Sequence, residues 1–85
     1  MPKVGLIAAH DGLADALIGL RKERGVTQVE LARRLGKPQQ FVSLIECGHR
    51  RVDVVEFYVI ARALDADPVI AFAQAIQRLP WPIEI

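Results

Sequence analysis

Apolar residues recur along most of this chain with the 3.6-residue spacing of a buried helix face, and the two-residue alternation of strands is nearly absent. Leu13, Leu17 and Leu20, at i, i+4 and i+7, predict a first helix from about Gly12 to Arg24, with Asp11 as N-cap and Gly25 as its stop. Thr27, followed three residues on by Glu30, predicts a capping box, in which hydroxyl and carboxylate satisfy each other's orphan backbone donors. The helix it opens has Leu31, Ala32 and Leu35 inward and ends at Gly36. Pro38, tolerated at a first helical position, begins a third helix that reaches about Cys47, with Val42 and Ile45 inward and Gly48 as its stop. Asp53 with Glu56 predicts another cap, followed by the stripe Val54, Phe57, Tyr58, Ala61 and Leu64. A fifth helix opens at Asp67-Pro68 and carries Val69, Phe72, Ala73 and Ile76 inward.

The two ends break this pattern. PKVGLIAA precedes the first helix and LPWPIEI follows the last, and the prolines on either side of Trp81 forbid helix there. Both are expected as short, extended, apolar arms that either fold back onto the body or cross to a second subunit. The chain contains no internal repeat and no low-complexity segment. The expected architecture is therefore all-α: one compact five-helix domain over residues 1–85, with its core in 12–78 and an arm at each end.

Composition narrows the function classes. A chain of 85 residues has a thin core that a second copy would help to stabilise, so a homodimer is plausible from size alone. With 52% apolar and 25% charged residues it is too apolar for disorder. The run VGLIAA is cut off by His10 and Asp11, too early to span a bilayer and poorly suited to a signal peptide, so no membrane partner is expected and the protein reads as cytoplasmic. The single cysteine, Cys47, excludes an internal disulfide, and His10 and His49 alone give no metal-ligand spacing. Cys47 reads as an inert thiol and the two histidines as surface residues. Phe57, Tyr58 and Phe72 read as core by periodicity, so no cofactor is expected. No nucleophile, base and orienting group can be assembled, which argues against an enzyme.

The net charge of +1 conceals an uneven distribution. From Arg21 to Arg51 eight basic residues face three acidic ones, a balance of +5; the rest of the chain carries three basic and seven acidic, a balance of −4. A basic middle between acidic flanks points to a polyanionic partner.

The middle also carries a geometry. Two helices joined by so short a turn cannot pack antiparallel and must cross steeply, as in the helix-turn-helix, here at about 27–47. In that motif the second helix enters the major groove of double-stranded DNA, and its first residues face base edges. Those residues are Gln39 and Gln40. A glutamine amide offers a donor beside an acceptor and so matches the N6 and N7 edge of adenine, a pairing worth roughly 1–3 kcal/mol of discrimination. Ser43, one turn on, faces the same way, and Leu44 beside it offers apolar contact, most naturally to a thymine methyl.

From Leu20 to about Leu64 the residues resemble the phage-repressor and Cro class of helix-turn-helix domains, the xenobiotic-response-element (XRE) family, with a lambda-repressor-like fold. The matching positions are Arg21, Thr27-Gln28, Glu30-Leu31-Ala32, Leu35-Gly36, Val42-Ser43, Ile45-Glu46, Gly48, Ala61 and Leu64. The resemblance implies that Gln28 clamps a phosphate, that Gln39, Gln40 and Ser43 sit in the groove with Leu44 at their edge, and that Ala32 lets the two helices approach. It implies that Arg21 and Glu46 pair inside the domain, which explains a carboxylate beside Ile45. Two positions depart from the family pattern: Cys47 stands where asparagine is common, removing a frequent phosphate contact, and Pro38 stands where a small polar cap is usual. Lys37 and the basic loop His49, Arg50 and Arg51 are further candidates for phosphate contacts.

The function expected from these readings is sequence-specific DNA binding by a homodimeric transcriptional regulator, acting as a steric repressor. Its dimer surface is expected in the fifth helix and the arms, with Phe72, Ile76, Leu79, Trp81 and Ile83. The competing readings are an antitoxin or a protein-interaction adaptor whose terminal arms bind a protein partner. The pair Gln39 and Gln40 and the basic middle separate them, since a pure adaptor has no use for either.

Overall fold

The computed structural model describes residues 4–85, in which five helices follow one another: α1 (Leu6–Glu23), α2 (Gln28–Leu35), α3 (Gln39–Glu46), α4 (Val54–Ala63) and α5 (Pro68–Ile76). Two short strands, β1 (Val4–Gly5) and β2 (Ile83–Glu84), lie at the ends of the described chain and pair in parallel, with Val4 opposite Ile83 and Gly5 opposite Glu84. The arms therefore meet each other within one chain; residues 2 and 3 of the expected N-terminal arm lie outside the described residues. No helix among the described residues is long and apolar enough to cross a membrane.

Side-chain oxygens start three of the helices by accepting from otherwise unpaired N–H groups. Thr27 Oγ1 accepts from the Glu30 N–H at 3.1 Å, and Asp67 Oδ1 accepts from Val69 and Ile70 at 2.9 and 3.3 Å. Asp53 and Glu56 form the complete reciprocal box, with bonds of 2.7 and 3.0 Å. At Thr27 the expected box is only half built. The Glu30 carboxylate turns instead to Arg33 Nε at 2.9 Å and Arg34 Nε at 3.1 Å, because two charged donors one turn away outcompete one neutral backbone N–H.

Four expected boundaries or faces differ. Helix α1 starts at Leu6, with Gly5 as N-cap, and Asp11 is an exposed residue inside it rather than its cap. Leu6, Ala8 and Ala9 are good helix formers, and Ala9 and Ala14 join Leu17 on the buried face, a stripe hidden in the sequence by the small size of alanine. Pro38 is the N-cap of α3 rather than its first residue: its φ of −70° suits either position, but its ψ of 156° lies outside the helix. In α4 the inner face is Phe57, Ile60, Ala61 and then Leu64, while Val54 and Tyr58 are exposed. In α5 Ala71 and Ala75 face inward, and Val69, Phe72, Ala73 and Ile76 face out. Both helices are apolar on nearly every side, so periodicity alone did not select which side would be covered. Small inward residues allow close approach of α5 to α1; a Cβ on Gly12 of α1 would stand 3.1 Å from the Arg78 carbonyl oxygen just beyond α5.

The core is built from Leu17, Leu31, Val42, Ile45, Phe57, Ile60 and Leu64 with the alanines between them. Each large side chain contributes about 1.5–3 kcal/mol by leaving water. One charged residue is buried among them. Arg21 donates from Nε and Nη2 to the two Glu46 carboxylate oxygens at 2.7 and 2.9 Å, and from Nη1 to the Val26 carbonyl at 2.8 Å. The side chains of the pair are only 11% and 8% exposed, so the ion pair expected between α1 and α3 is formed and largely shielded from solvent.

Removing Glu46 leaves that guanidinium buried without its counter-charge. Glu46→Ala is expected to destabilise the domain by roughly 3–5 kcal/mol in chemical denaturation; a variant within 1 kcal/mol of the parent, on the same scale, would mean that water reaches the pair. A second expectation concerns acid. Arg33 and then Arg34 hold the Glu30 carboxyl at about 2, well below its ordinary value of 4.5, and Arg50 together with the Asp53 N–H lowers that of Glu56. A carboxyl depressed by folding stabilises the native state above its unfolded value, and that contribution is lost as the pH falls through the folded value. The melting temperature is expected to drop progressively between about pH 5 and pH 2, and Glu30→Gln to flatten part of that slope.

Candidate nucleic-acid interface

Only Gly36, Lys37 and Pro38 separate α2 from α3. Gly36 turns the chain at φ 68°, ψ 31°, a left-handed conformation that costs a side-chain-bearing residue more, and the Lys37 N–H closes back onto the Ala32 carbonyl at 2.9 Å. Ala32, 2% exposed, lies in the packing between α2 and the rest of the core, while Val42 and Ile45 anchor α3 from its other side. With those positions inward, Gln40, Ser43 and Leu44 share the opposite face. Gln39 and Gln40 are exposed, and Ser43 and Leu44 are half-buried.

The first residues of α2 and α3 meet. Gln39 Nε2 donates to Gln28 Oε1 at 3.3 Å, and Gln28 Nε2 donates to Glu46 Oε1 at 3.0 Å. Two helix starts, each carrying partial positive charge, thus converge on one place. Unlike α2, α4 and α5, helix α3 has no side-chain cap, so its first N–H groups are free to meet an anionic oxygen.

After α3 the chain turns at Gly48, where φ is +83° and a Cβ would come within 2.8 Å of Asp11 Oδ1. The Leu44 carbonyl accepts from both His49 and Arg50, at 2.9 and 3.1 Å, and pins the loop beside the exposed face of α3. His49 and Arg51 are exposed there. Arg50 is engaged differently: it donates to both oxygens of Glu56 at 3.1 and 2.7 Å, and its guanidinium lies 4.6 Å from the centre of the Phe41 ring. The Lys37 ammonium lies 5.5 Å from the centre of the same Phe41 ring. Sequence spacing does not single out Phe41, because Lys37 lies before the start of α3, yet its ring is the platform that holds both cations. Cys47 is exposed, with its thiol 3.5 Å from the Leu44 carbonyl oxygen.

The segment that carries α3 and its flanking turns has one sign, with the exposed Asp11 carboxylate of α1 standing against it at Gly48. Between Lys37 and Arg51 the only carboxylate is Glu46, which is spent on Arg21, so the exposed groups are cationic or neutral. The residues expected at a dimer surface lie elsewhere. Phe72, Ile76 and Trp81 are 41%, 47% and 81% exposed; Leu79 and Ile83 are half-buried, lining a shallow apolar cleft with Leu6 and Leu13. Tyr58, Val54, Val69 and Ile70 add exposed apolar area on α4 and α5, which contact each other through Phe57 and Phe72, ring centres 5.5 Å apart and edge to face.

Comparisons with known proteins agree with this geometry. The family model described as helix-turn-helix matches residues 17–70, more than half of the chain. An uncharacterized HTH-type transcriptional regulator, y4dJ of Sinorhizobium fredii (strain NBRC 101917 / NGR234), is 42% identical over 50 residues, which are 59% of this chain and 65% of that protein, just under two thirds of its length. Among solved structures, an XRE-family like protein from Pseudomonas syringae pv. tomato str. DC3000 is 41% identical with a TM-score of 0.75, covering 86% of this chain and 89% of that one. The restriction-modification controller protein C.AhdI from Aeromonas hydrophila is 32% identical with a TM-score of 0.69, covering 78% and 96%. With the model matched across both helices and their turn, and the same fold in these relatives, the chain belongs to the XRE-type helix-turn-helix family of transcriptional regulators.

Proposed function

We propose that this protein is a sequence-specific DNA-binding regulator that works as a homodimer and represses by occupying a promoter. The observation that carries the reading is the outward face of α3: Gln40, Ser43 and Leu44, with Gln39 at its start, on a helix that carries no exposed carboxylate and is flanked by Lys37 and Arg51. Uncharged amides there can pair with base edges without the cost of stripping water from an ion. Phosphates are assigned to Gln28 and the free start of α3, to Lys37, and to His49 and Arg51 in the loop. Arg50 serves this surface by fixing the loop to α4 through Glu56, and gains a phosphate only by sharing that pair.

One such domain covers few base pairs, so useful specificity needs two half-sites about one helical turn apart. The exposed apolar sides of α4 and α5, with Phe72, Ile76 and Trp81, support pairing with a second copy. They include Tyr58 and Val54, residues that periodicity assigned to the core.

The reading is tested by selecting bound sequences from a random duplex library with the purified protein. A single enriched, roughly two-fold symmetric sequence is expected. Gln40→Ala should weaken binding to it by about 5- to 150-fold while leaving the melting temperature and weak non-specific binding in place. With Lys37 and Arg51 from each of two subunits on phosphates, the plot of log affinity against log salt should fall with a slope of about −4; a flat plot would favour a protein-binding role. For the dimer, Ile76→Glu is expected to yield a folded monomer by sedimentation and to lower operator affinity, whereas a parent protein that sediments as a monomer would remove this arrangement.

A further inference from the structure

The bonds around Glu46 form a continuous relay from the core to the DNA-facing surface. Its carboxylate accepts from Arg21 through both oxygens, at 2.7 and 2.9 Å, and from Gln28 Nε2 at 3.0 Å; Gln28 Oε1 in turn accepts from Gln39 Nε2 at 3.3 Å. We propose that Glu46 is a positioning residue for base recognition, which acts through Gln28 to fix which end of the Gln39 amide faces DNA. This rests on the reading of α3 as the base-contacting helix.

The polarity follows from donor chemistry. A glutamine amide is nearly symmetric in shape, and turning it over ordinarily exchanges its oxygen for its nitrogen at little cost. A carboxylate held by a guanidinium carries no proton and can only accept. Gln28 must therefore aim its NH2 group at Glu46, which leaves its carbonyl oxygen facing Gln39. Gln39 must then give one N–H to Gln28, and what remains for a base is its carbonyl oxygen and its second N–H, in one fixed order. Turning Gln28 over would set its oxygen against the buried carboxylate. Turning Gln39 over would forfeit the bond to Gln28. A charge in the core thereby breaks the symmetry of two neutral side chains in succession.

That order matters because adenine presents a donor at N6 and an acceptor at N7, whereas guanine presents two acceptors on the same edge. A locked Gln39 meets the adenine pattern with both groups and meets guanine with an oxygen facing an oxygen or a single bond. A freely turning amide can present its NH2 to either acceptor of guanine and discriminates less. Losing one net hydrogen bond on turning corresponds to roughly two- to tenfold in preference.

The test uses the same random duplex library with four proteins: the parent, Gln39→Ala, Gln28→Met and Glu46→Gln. Gln39→Ala identifies the base pair that Gln39 reads, as the position whose preference disappears. Gln28→Met cuts the relay with Arg21 and Glu46 left paired, and Glu46→Gln replaces the acceptor-only group by an amide that can turn over. Both are expected to lower the preference at that one position by about two- to tenfold and to leave the other positions as they were. Gln28→Met also gives up the phosphate contact assigned to Gln28, which weakens all sequences alike and leaves the preference untouched, so weakening with unchanged preference at that position overturns the relay. If Glu46→Gln is unfolded by circular dichroism at the selection temperature, Gln28→Met decides alone. If Gln39→Ala alters no single position while the parent enriches a sequence, the assignment of Gln39 to a base is wrong and the relay falls with it; a parent that enriches nothing overturns the DNA reading itself.

Discussion

The pairing of Arg21 with Glu46 is the constraint on which the rest of this small structure depends. A carboxylate beside Ile45 and Val42 is tolerable only if it is matched by a counter-charge and its lone pairs are occupied. Arg21 supplies the charge from α1, and its third bond, to the Val26 carbonyl, ties down the turn that leads into α2. Gln28 takes the remaining position from the start of α2. Three helices are thereby referred to one buried group. An eight-residue helix such as α3 is far too short to be stable alone, so its existence and its direction both come from such tertiary anchors.

Thin cores leave a second mark. The inward side of α5 is alanine, at Ala71 and Ala75, and its large residues face solvent, together with Tyr58 and Val54 of α4. A chain of this size cannot enclose every large side chain and still keep α5 close to α1. The same shortage explains the terminal strands. Val4 and Gly5 have only Ile83 and Glu84 to pair with, and Trp81 is left 81% exposed between its prolines. The exposed apolar surface of α4 and α5 is thus a by-product of how the core was closed.

The parts of this fold that were legible in the sequence are those fixed by local chemistry. The capped starts at Thr27, Asp53 and Asp67, the left-handed turn at Gly36 and the short link to α3 each depend on a few neighbouring residues and stand where they were expected. The ion pair was found through family resemblance, since nothing local joins residues 21 and 46. The misses share one cause, which is competition among alternatives of similar local merit. Glu30 had a backbone N–H and two arginines within reach and took the arginines. Helices α4 and α5 had apolar residues on several sides, and only their neighbours in space decided which would be covered. Leu6 to Ala9 could extend or coil; continuity with α1 and the burial of Ala9 favoured the helix.

The candidate site divides along the same line. Which residues face outward on α3 followed from the positions of Val42 and Ile45, so Gln40, Ser43 and Leu44 were readable. What those residues are connected to was not. Arg50 looks in sequence like a third free cation of the loop, yet Glu56 and the Phe41 ring hold it, and the loop owes its place to that arrangement. Gln39 looks like the equal of Gln40, yet it alone is tied through Gln28 to the buried carboxylate. Two adjacent amides of identical chemistry therefore stand in different physical situations: Gln40 makes no side-chain bond among the described residues, and Gln39 is held by a bond whose direction is set in the core.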